Sequence, residues 1–258
     1  MYPVIFATLF SIGLFFSMIG LLEIGRRIGR IHVEEDADHA RDGVSAIEGA
    51  VFGLMGLLVA FTFSGALTRF DNRRALVVEE ANDIGTAWMR IDLLPPESQP
   101  ALRHLFRNYL DSRLKLYRSF PDVAAIQAEY AHSAELQQQI WDAAVADCHA
   151  SPSPNVGLLV LPALNTMFDI RTTRKMSKLV HPPVVIYVML GLLALGSSVF
   201  AGYDMASSRK KSWLHIVGFA AALSGSAYVI LDLEYPRVGL IRVNDFDIVL
   251  VELRESMK

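Results

Sequence analysis

The sequence predicts an all-α membrane protein with four transmembrane helices in two hairpins and an extramembrane helical bundle inserted between them. Of its 258 residues, 52% are hydrophobic and only 20% are charged. Four runs lack Asp, Glu, Lys and Arg, and each is close to the ~20 residues that a helix needs to cross a bilayer. These runs cover residues 3–22, 49–67, 182–203 and 212–231. Between the second and third runs the apolar residues recur at helical spacing, with no alternation typical of a strand.

The order of the runs predicts four domains. Residues 1–67 form the first transmembrane hairpin, 68–180 the extramembrane helical domain, 181–232 the second hairpin, and 233–258 a bend with a short amphipathic helix. The first run has no basic region before it and no small-residue cleavage site after it. We therefore interpret it as a retained membrane anchor.

Three helices are expected in the extramembrane domain after the second run, which continues without a turn signal to Pro95. The first covers about 97–120, the second starts at Val123 and ends before the SPSPN motif at Ser151, and the third covers 156–180. Steps of three and four predict the buried face of the second of these helices. That face consists of Val123, Ile126, Tyr130, Ala134, Gln137, Trp141, Ala144 and Cys148.

A bend at Pro236 and Gly239 precedes the C-terminal helix, which Asn244 is expected to cap. Phe246, Val249, Leu250 and Leu253 would form its buried face. An extended segment over 238–243 is an open alternative.

The second transmembrane run contains a stripe of small residues that predicts close helix packing. The stripe begins with a G-x-x-x-G motif and consists of Gly49, Gly53, Gly56, Ala60 and Ser64. Apolar side chains on the other faces would line a pore in an oligomer and close it by dewetting. These are Phe52, Val59, Phe63 and Ala66. Lipid contact or packing within the chain is the alternative for both sets.

Charged residues are absent inside the four runs and dense beside them. A proton- or ion-coupled carrier usually keeps an ionisable residue at mid-membrane, so a passive pore or a non-transporting protein fits better. Arg73, Arg74, Glu80 and Asp83 follow the second run and are interpreted either as a charged vestibule or as a structural ion-pair network. The acidic loop at residues 34–42 matches no calcium-loop spacing.

No enzyme motif of the HExxH, GxSxG, Walker or GxGxxG type occurs, so we expect no enzyme, cofactor or metal site. A net charge of −3 and the lack of a long basic block argue against a nucleic-acid partner. Membrane lipid and further copies of the chain are the expected partners.

Three segments of the chain resemble the bestrophin-like family of bacterial membrane proteins, a domain family of unknown function. They read FTFSGALTRFDNRRALVVEEANDIGTAWMRIDLLPP, MSKLVHPPV and LDLEYPRVGLIRV. The matching positions are Phe61, Phe63, Ala66, Arg69, Arg73, Arg74, Glu80, Ala81, Asn82, Ile84, Gly85, Leu94, Asp232, Pro236 and Gly239. The resemblance implies a distant link to bestrophins, pentameric anion channels with four spans per subunit, a cytoplasmic bundle and a pore lined by the second helix. The chain lacks the acidic calcium clasp that bestrophins carry after the last span.

Two functions are expected from these observations. The first is an oligomeric anion channel of the cell inner membrane. The alternative is a non-conducting scaffold whose helical domain binds a protein partner near Glu80, Asp83 and Tyr117. Basic residues flank both ends of the spans, so the side on which the helical domain lies stays open.

Overall fold

The fold was analysed in a computed structural model that describes residues 2–35, 44–153, 155–207 and 212–258. Within these ranges all regular structure is helical, as the sequence predicts. The helices are α1 Tyr2–Glu35, α2 Val44–Arg90, α3 Gln99–Arg118, α4 Val123–Ala150, α5 Val156–Ser177, α6 Val184–Asp204, α7 Trp213–Leu233 and α8 Ile248–Ser256. Four of them, α1, α2, α6 and α7, are long and apolar enough to cross a membrane.

The chain divides into two compact units. Unit 1 consists of Met1–Thr68 and His181–Tyr235, and unit 2 of Arg69–Val180 and Pro236–Lys258. The helix α2 contributes to both units, since it is continuous from Val44 to Arg90 as its lack of turn residues predicts.

In unit 1 the closely packed helix pairs are α1 with α6 and α1 with α7. A Cβ atom at Gly25 would lie 2.0 Å from the Val199 carbonyl oxygen, and one at Gly202 would lie 2.0 Å from the Leu22 carbonyl oxygen. Glycine at these two positions therefore lets the backbones of α1 and α6 touch. The hairpin pairing expected from chain order is not confirmed, because α1 packs mainly on helices distant in sequence.

The core of unit 1 is a small apolar cluster in the bilayer-spanning part. It consists of Leu14, Met18, Met55, Ala194 and Ala220. Large apolar side chains also cover the outside of these helices, among them Phe16, Leu57 and Leu192, which are 65%, 52% and 66% exposed. An apolar exterior of this kind is the surface that lipid solvates.

In unit 2, α3 packs against α4 and α8, and α4 packs against α5. Asp122 caps α4: its carboxylate accepts hydrogen bonds from the backbone N–H groups of Ala124 and Ala125 at 3.0 and 3.1 Å. The carboxylate of Asp111 on α3 accepts two bonds from Arg254 on α8, at 2.8 and 2.9 Å.

The predicted face of α4 is confirmed in part: Gln137 and Ala144 are buried, and Ile126, Tyr130, Trp141 and Cys148 are half-buried. Val123 is 65% exposed and Ala134 is also exposed. The buried positions are Glu129, Ser133, Leu136, Gln137, Ile140 and Ala144. Polar contacts decide this face, because Glu129 accepts from Ser112 on α3 at 2.9 Å, and apolar periodicity does not reveal that contact.

The predicted cap at Asn244 is also wrong. No side-chain cap bond is present at the start of either C-terminal helical segment. The amide oxygen of Asn244 instead accepts from Arg237 at 3.1 Å. The predicted helix itself is present as α8, with Leu250 fully buried. Residues 238–243 contain turns and bends and no strand.

Candidate functional site

Within unit 1, α2 has one side against its own unit and one side uncovered. Phe52, Val59 and Ala66, three of the four predicted pore residues, lie on the covered side. Phe52 makes an edge-to-face contact with Phe219 at 5.8 Å, Val59 packs against the core cluster, and Ala66 is fully buried. Phe63, the fourth, is 40% exposed. At spacings of seven, four and three residues the four positions share one face of α2, which is covered by unit 1 at Ala66, partly covered at Phe52 and Val59 and open at Phe63, so their pore role stays a prediction.

The predicted small-residue stripe lies entirely on the uncovered side of α2. All five of its members, Gly49, Gly53, Gly56, Ala60 and Ser64, are exposed. A Cβ atom at Gly49, Gly53 or Gly56 would meet no atom within 4 Å. Packing among the described residues thus does not account for the stripe.

The stripe continues into two large side chains. At helical steps of four and three it runs through Gly49, Gly53, Gly56 and Ala60 to Phe63 and Leu67. Phe63 and Leu67 are 40% and 41% exposed. We call these six residues the α2 seam. Its side chains are small at the glycine end and large at the end nearest Thr68.

In unit 2, Glu80 is the centre of a buried polar network. Its carboxylate accepts hydrogen bonds from Arg113 Nε at 2.6 Å, from the Tyr117 hydroxyl at 2.7 Å and from Arg174 Nη1. Glu80, Arg113 and Tyr117 are 0%, 1% and 4% exposed. Three helices, α2, α3 and α5, are joined by this one carboxylate.

The other predicted vestibule charges also have structural contacts. Arg73 donates to the backbone carbonyls of Ser177 and Val180 at 3.3 and 3.0 Å, at the end of α5. Arg74 pairs with Asp71 at 2.9 Å and lies 4.1 Å from the ring centroid of Phe246. Asp83 is half-buried. The structural-network alternative therefore describes Glu80 and Arg73, while a vestibule role for Arg74 and Asp83 stays a prediction.

The burial of Glu80 and Tyr117 corrects the surface proposed for a scaffold. A protein partner does not reach side chains enclosed by the helices of unit 2, so these two residues do not form a docking surface. Of the three residues predicted for it, Asp83 alone is partly accessible.

Two further groups of predicted residues fall partly or wholly outside the described chain. The acidic loop residues Asp36, Asp38, His39 and Asp42, and the basic trio Arg209, Lys210 and Lys211, are not among the described residues. Over the residues that are described, no cluster of His, Cys, Asp and Glu has the geometry to hold a metal ion.

An apolar cavity of about 400 Å³ lies among α1, α2, α6 and α7 in unit 1. Phe10, Met55 and Ile230 contribute to its walls, and His181 and Glu234 lie at its edge. His181 Nδ1 is 3.0 Å from the Glu234 carboxylate. This pair was missed because its residues are 53 positions apart and neither belongs to a motif.

The contact of Gly25 and Gly29 with α6 was also missed, although the sequence holds a signal for it. These two glycines form a second literal G-x-x-x-G within EIGRRIGR, the charged segment that follows the first uncharged run. A Cβ atom at Gly29 would lie 2.7 Å from the Tyr203 carbonyl oxygen. Because arginines lie between and beside these glycines, the segment fell outside the uncharged runs, and its packing motif was not recognised.

Comparison with known proteins gives one match. The family model described as the bestrophin-like domain matches residues 7–246. No curated protein and no solved structure matches the chain.

Proposed function

The chain belongs to the bestrophin-like family, and from this membership we propose that it forms an oligomeric, channel-like membrane protein that passes inorganic anions. The observation that carries the proposal is the α2 seam, an uncovered stripe on a transmembrane helix that the chain itself leaves without a packing partner. In the proposed assembly, residues 1–67 and 181–232 lie in the bilayer and residues 68–180 lie outside it.

A closed ring of identical subunits would cover the seam or place it around a central axis. Small residues on one face of a transmembrane helix allow neighbouring backbones to approach. Each glycine also lowers helix stability by ~1 kcal/mol relative to alanine, a cost with no compensating contact in the single chain. Contact with further copies of the chain supplies that compensation, and a pentamer is the ring that the resemblance to bestrophins suggests.

The constriction of the proposed pore lies at Phe63 and Leu67. The preceding seam positions are glycine and alanine, which leave space, whereas the phenyl ring and the leucine side chain narrow it. An apolar ring of this kind gates by dewetting. Phe52, Val59 and Ala66 lie on the face of α2 beside the seam and would hold the pore wall against the rest of unit 1.

Anions suit this pore better than cations. The run 49–67 of α2 carries no carboxylate, and Arg69 and Arg74 follow it along the helix, with Asp71 between them paired to Arg74. Rings of basic side chains favour anions in pores, as rings of carboxylates favour cations.

The test is halide flux in proteoliposomes that contain the purified protein, with its oligomeric size measured on the same sample. We expect flux from a closed oligomer and a rise of about threefold or more in Phe63→Ala, because a smaller side chain weakens the hydrophobic gate. Phe61→Ala is the matched control, since Phe61 is 66% exposed on a different face of the same helix.

Absence of flux in both the wild type and Phe63→Ala would contradict the channel proposal. Equal flux in Phe63→Ala, Phe61→Ala and the wild type would instead remove Phe63 from the pore.

A further inference from the structure

Unit 2 contains an unusual concentration of positive charge around one buried aromatic ring. The ring centroid of Tyr117 lies within 6 Å of four cations, the range of a cation–π contact. They are Arg174 at 4.2 Å, Arg237 at 4.9 Å, Arg113 at 5.1 Å and Lys178 at 5.6 Å. We call this group the Tyr117 cluster.

The carboxylates bonded to the Tyr117 cluster do not balance its charge. Among the described residues they are Glu80, which accepts from Arg113 and Arg174, and Asp247, which accepts from Arg237. Lys178 donates to the hydroxyl of Tyr130 at 3.2 Å, a neutral acceptor. Four cations thus share two carboxylates in a region largely removed from water, where an uncompensated charge is costly.

A second, independent observation concerns Arg113. Its Nε and Nη2 donate to Glu80 and Tyr117. Its Nη1 is buried and has no hydrogen-bond acceptor among the described residues. Buried donors of this kind are nearly always satisfied, and a charged donor more strongly so. This unsatisfied donor adds to the uncompensated positive charge of the Tyr117 cluster.

A cavity of about 740 Å³ opens directly beside the cluster. Tyr117 and Arg237 belong both to the cluster and to the wall of this cavity. The same wall contributes two further arginines, Arg118 and Arg242, together with Asn244 and the carboxylates of Asp245 and Asp247. Asp247 is already engaged by both terminal nitrogens of Arg237. The charged groups of the wall are therefore three arginines against two carboxylates, one of which is engaged by Arg237, and the remainder of the wall includes the apolar Leu114, Phe120, Ile248 and Val251.

We propose that this cavity binds a phosphate-bearing anion, contacted by Arg237, Arg118 and Arg242 and stabilised by the positive charge of the Tyr117 cluster. Guanidinium groups match phosphate oxygens with paired donors, and the cavity is far larger than a halide requires. The site lies wholly in unit 2 and does not depend on whether the protein conducts ions. The phosphate would belong either to a soluble molecule or to a phospholipid headgroup.

Lys178 makes the proposed site sensitive to pH. Burial, and then the neighbouring Arg174, Arg237 and Arg113, lower the pKa of Lys178 to about 7, while Asp247 acts in the opposite direction. Tyr117 and Tyr130 also face its amine. Below about pH 7 the lysine is charged and strengthens anion binding, and above it the neutral amine does not. Bound anion would in turn raise the pKa of Lys178.

The experiment titrates inorganic pyrophosphate into the full-length protein in phosphatidylcholine nanodiscs, at constant ionic strength, by calorimetry. We expect saturable binding at about pH 6 that weakens by roughly tenfold at about pH 9. Lys178→Met is expected to bind about tenfold more weakly at the lower pH and to lose the pH dependence. Lys175→Met, three residues before Lys178 and outside the Tyr117 cluster, should bind as the wild type does.

Folding of the variant is checked on the same samples. Removal of a buried charge without a carboxylate partner should leave the thermal stability of Lys178→Met equal to or above that of the wild type without pyrophosphate. A second set of nanodiscs replaces part of the phosphatidylcholine with phosphatidylglycerol. If pyrophosphate binds more weakly in the phosphatidylglycerol nanodiscs than in pure phosphatidylcholine, the lipid headgroup competes for the site, which would then be assigned to a phospholipid.

Two results would overturn the proposal. One is no heat and no thermal stabilisation by millimolar pyrophosphate or by phosphatidylglycerol in the wild type. The other is equal binding by the wild type, Lys178→Met and an Arg118→Gln variant, since binding would then take place elsewhere.

Discussion

A single carboxylate, Glu80, determines how three helices of unit 2 meet. Glu80 belongs to α2, and its carboxylate accepts hydrogen bonds from side chains on α3 and α5. Its side chain is completely buried. A buried ion pair is weak evidence of net stabilisation, because desolvation offsets much of the attraction. Removal of one partner is different, since it leaves the remaining charges uncompensated in the interior.

We therefore expect Glu80→Gln to destabilise unit 2 by about 3 to 5 kcal/mol, because two buried guanidinium groups lose their counterion. Urea unfolding followed by tryptophan fluorescence measures this effect, since Trp88 and Trp141 both lie in unit 2. Glu79→Gln is the matched control: its neighbouring carboxylate is exposed, so its effect should stay within about 0.5 kcal/mol. Equal unfolding midpoints for the two variants would show that the network does not stabilise the unit.

The sequence predicted part of this network and not its geometry. Arg73, Arg74, Glu80 and Asp83 were recognised as a charged group, and helical spacing indicated that partners of Glu80 come from other helices. Arg113 and Arg174 were not identified as those partners, because they are 33 and 94 positions away. Local spacing contains no information about which distant helices meet.

Among the elements of unit 1, α1 and α6 bring their backbones into close contact at glycine positions. Gly25 and Gly29 on α1 and Gly202 on α6 leave no room for a Cβ atom. Lipid is as apolar as the helix surfaces, so the hydrophobic effect does not drive these helices together as it would in water. Close packing of the two backbones supplies the attraction instead.

The variant Gly25→Ala tests the close contact between α1 and α6. The added methyl would overlap the Val199 carbonyl oxygen, so the helices must separate, at a cost of about 1 to 3 kcal/mol. Thermal unfolding in detergent should show a lower midpoint. Gly20→Ala, on the same helix with nothing within 4 Å of the new Cβ, should be neutral or slightly stabilising. A midpoint for Gly25→Ala at or above that of Gly20→Ala would refute the close crossing.

At the scale of elements, prediction succeeded where one physical signal dominates. The uninterrupted α2 and the proline-marked ends of α3 and α5 followed from turn chemistry and hydropathy. The buried face of α4 followed only in part, because Glu129 and Ser133 are buried there through hydrogen bonds to Ser112 and Arg171. Apolar periodicity does not detect a helix face that is buried through polar contacts.

At the scale of the whole molecule, the stripe of small residues on α2 is exposed and makes no packing contact within the described part of a single chain. The stripe was recognised from the sequence, but its relation to the other faces of α2 was not. Burial of Phe52, Val59 and Ala66 depends on where α6 and α7 pack, which α2 alone does not encode. A pore role of Phe52, Val59 and Ala66 stays a prediction, and we propose that the constriction lies at the exposed Phe63 and Leu67.

Gly53→Leu tests whether this seam joins subunits. The single chain offers open space at Gly53, so the leucine should not disturb the fold of one subunit. In a ring it would separate neighbouring copies of α2 or fill the lumen, and we expect loss of the oligomer or of halide flux. Mass photometry in nanodiscs and proteoliposome flux measure the two effects on one preparation. Gly13→Leu is the matched control, because Gly13 is also exposed with nothing within 4 Å but lies on α1. If Gly53→Leu keeps both the oligomer and the flux of Gly13→Leu, the seam faces lipid, and the assembly must use another surface of unit 1.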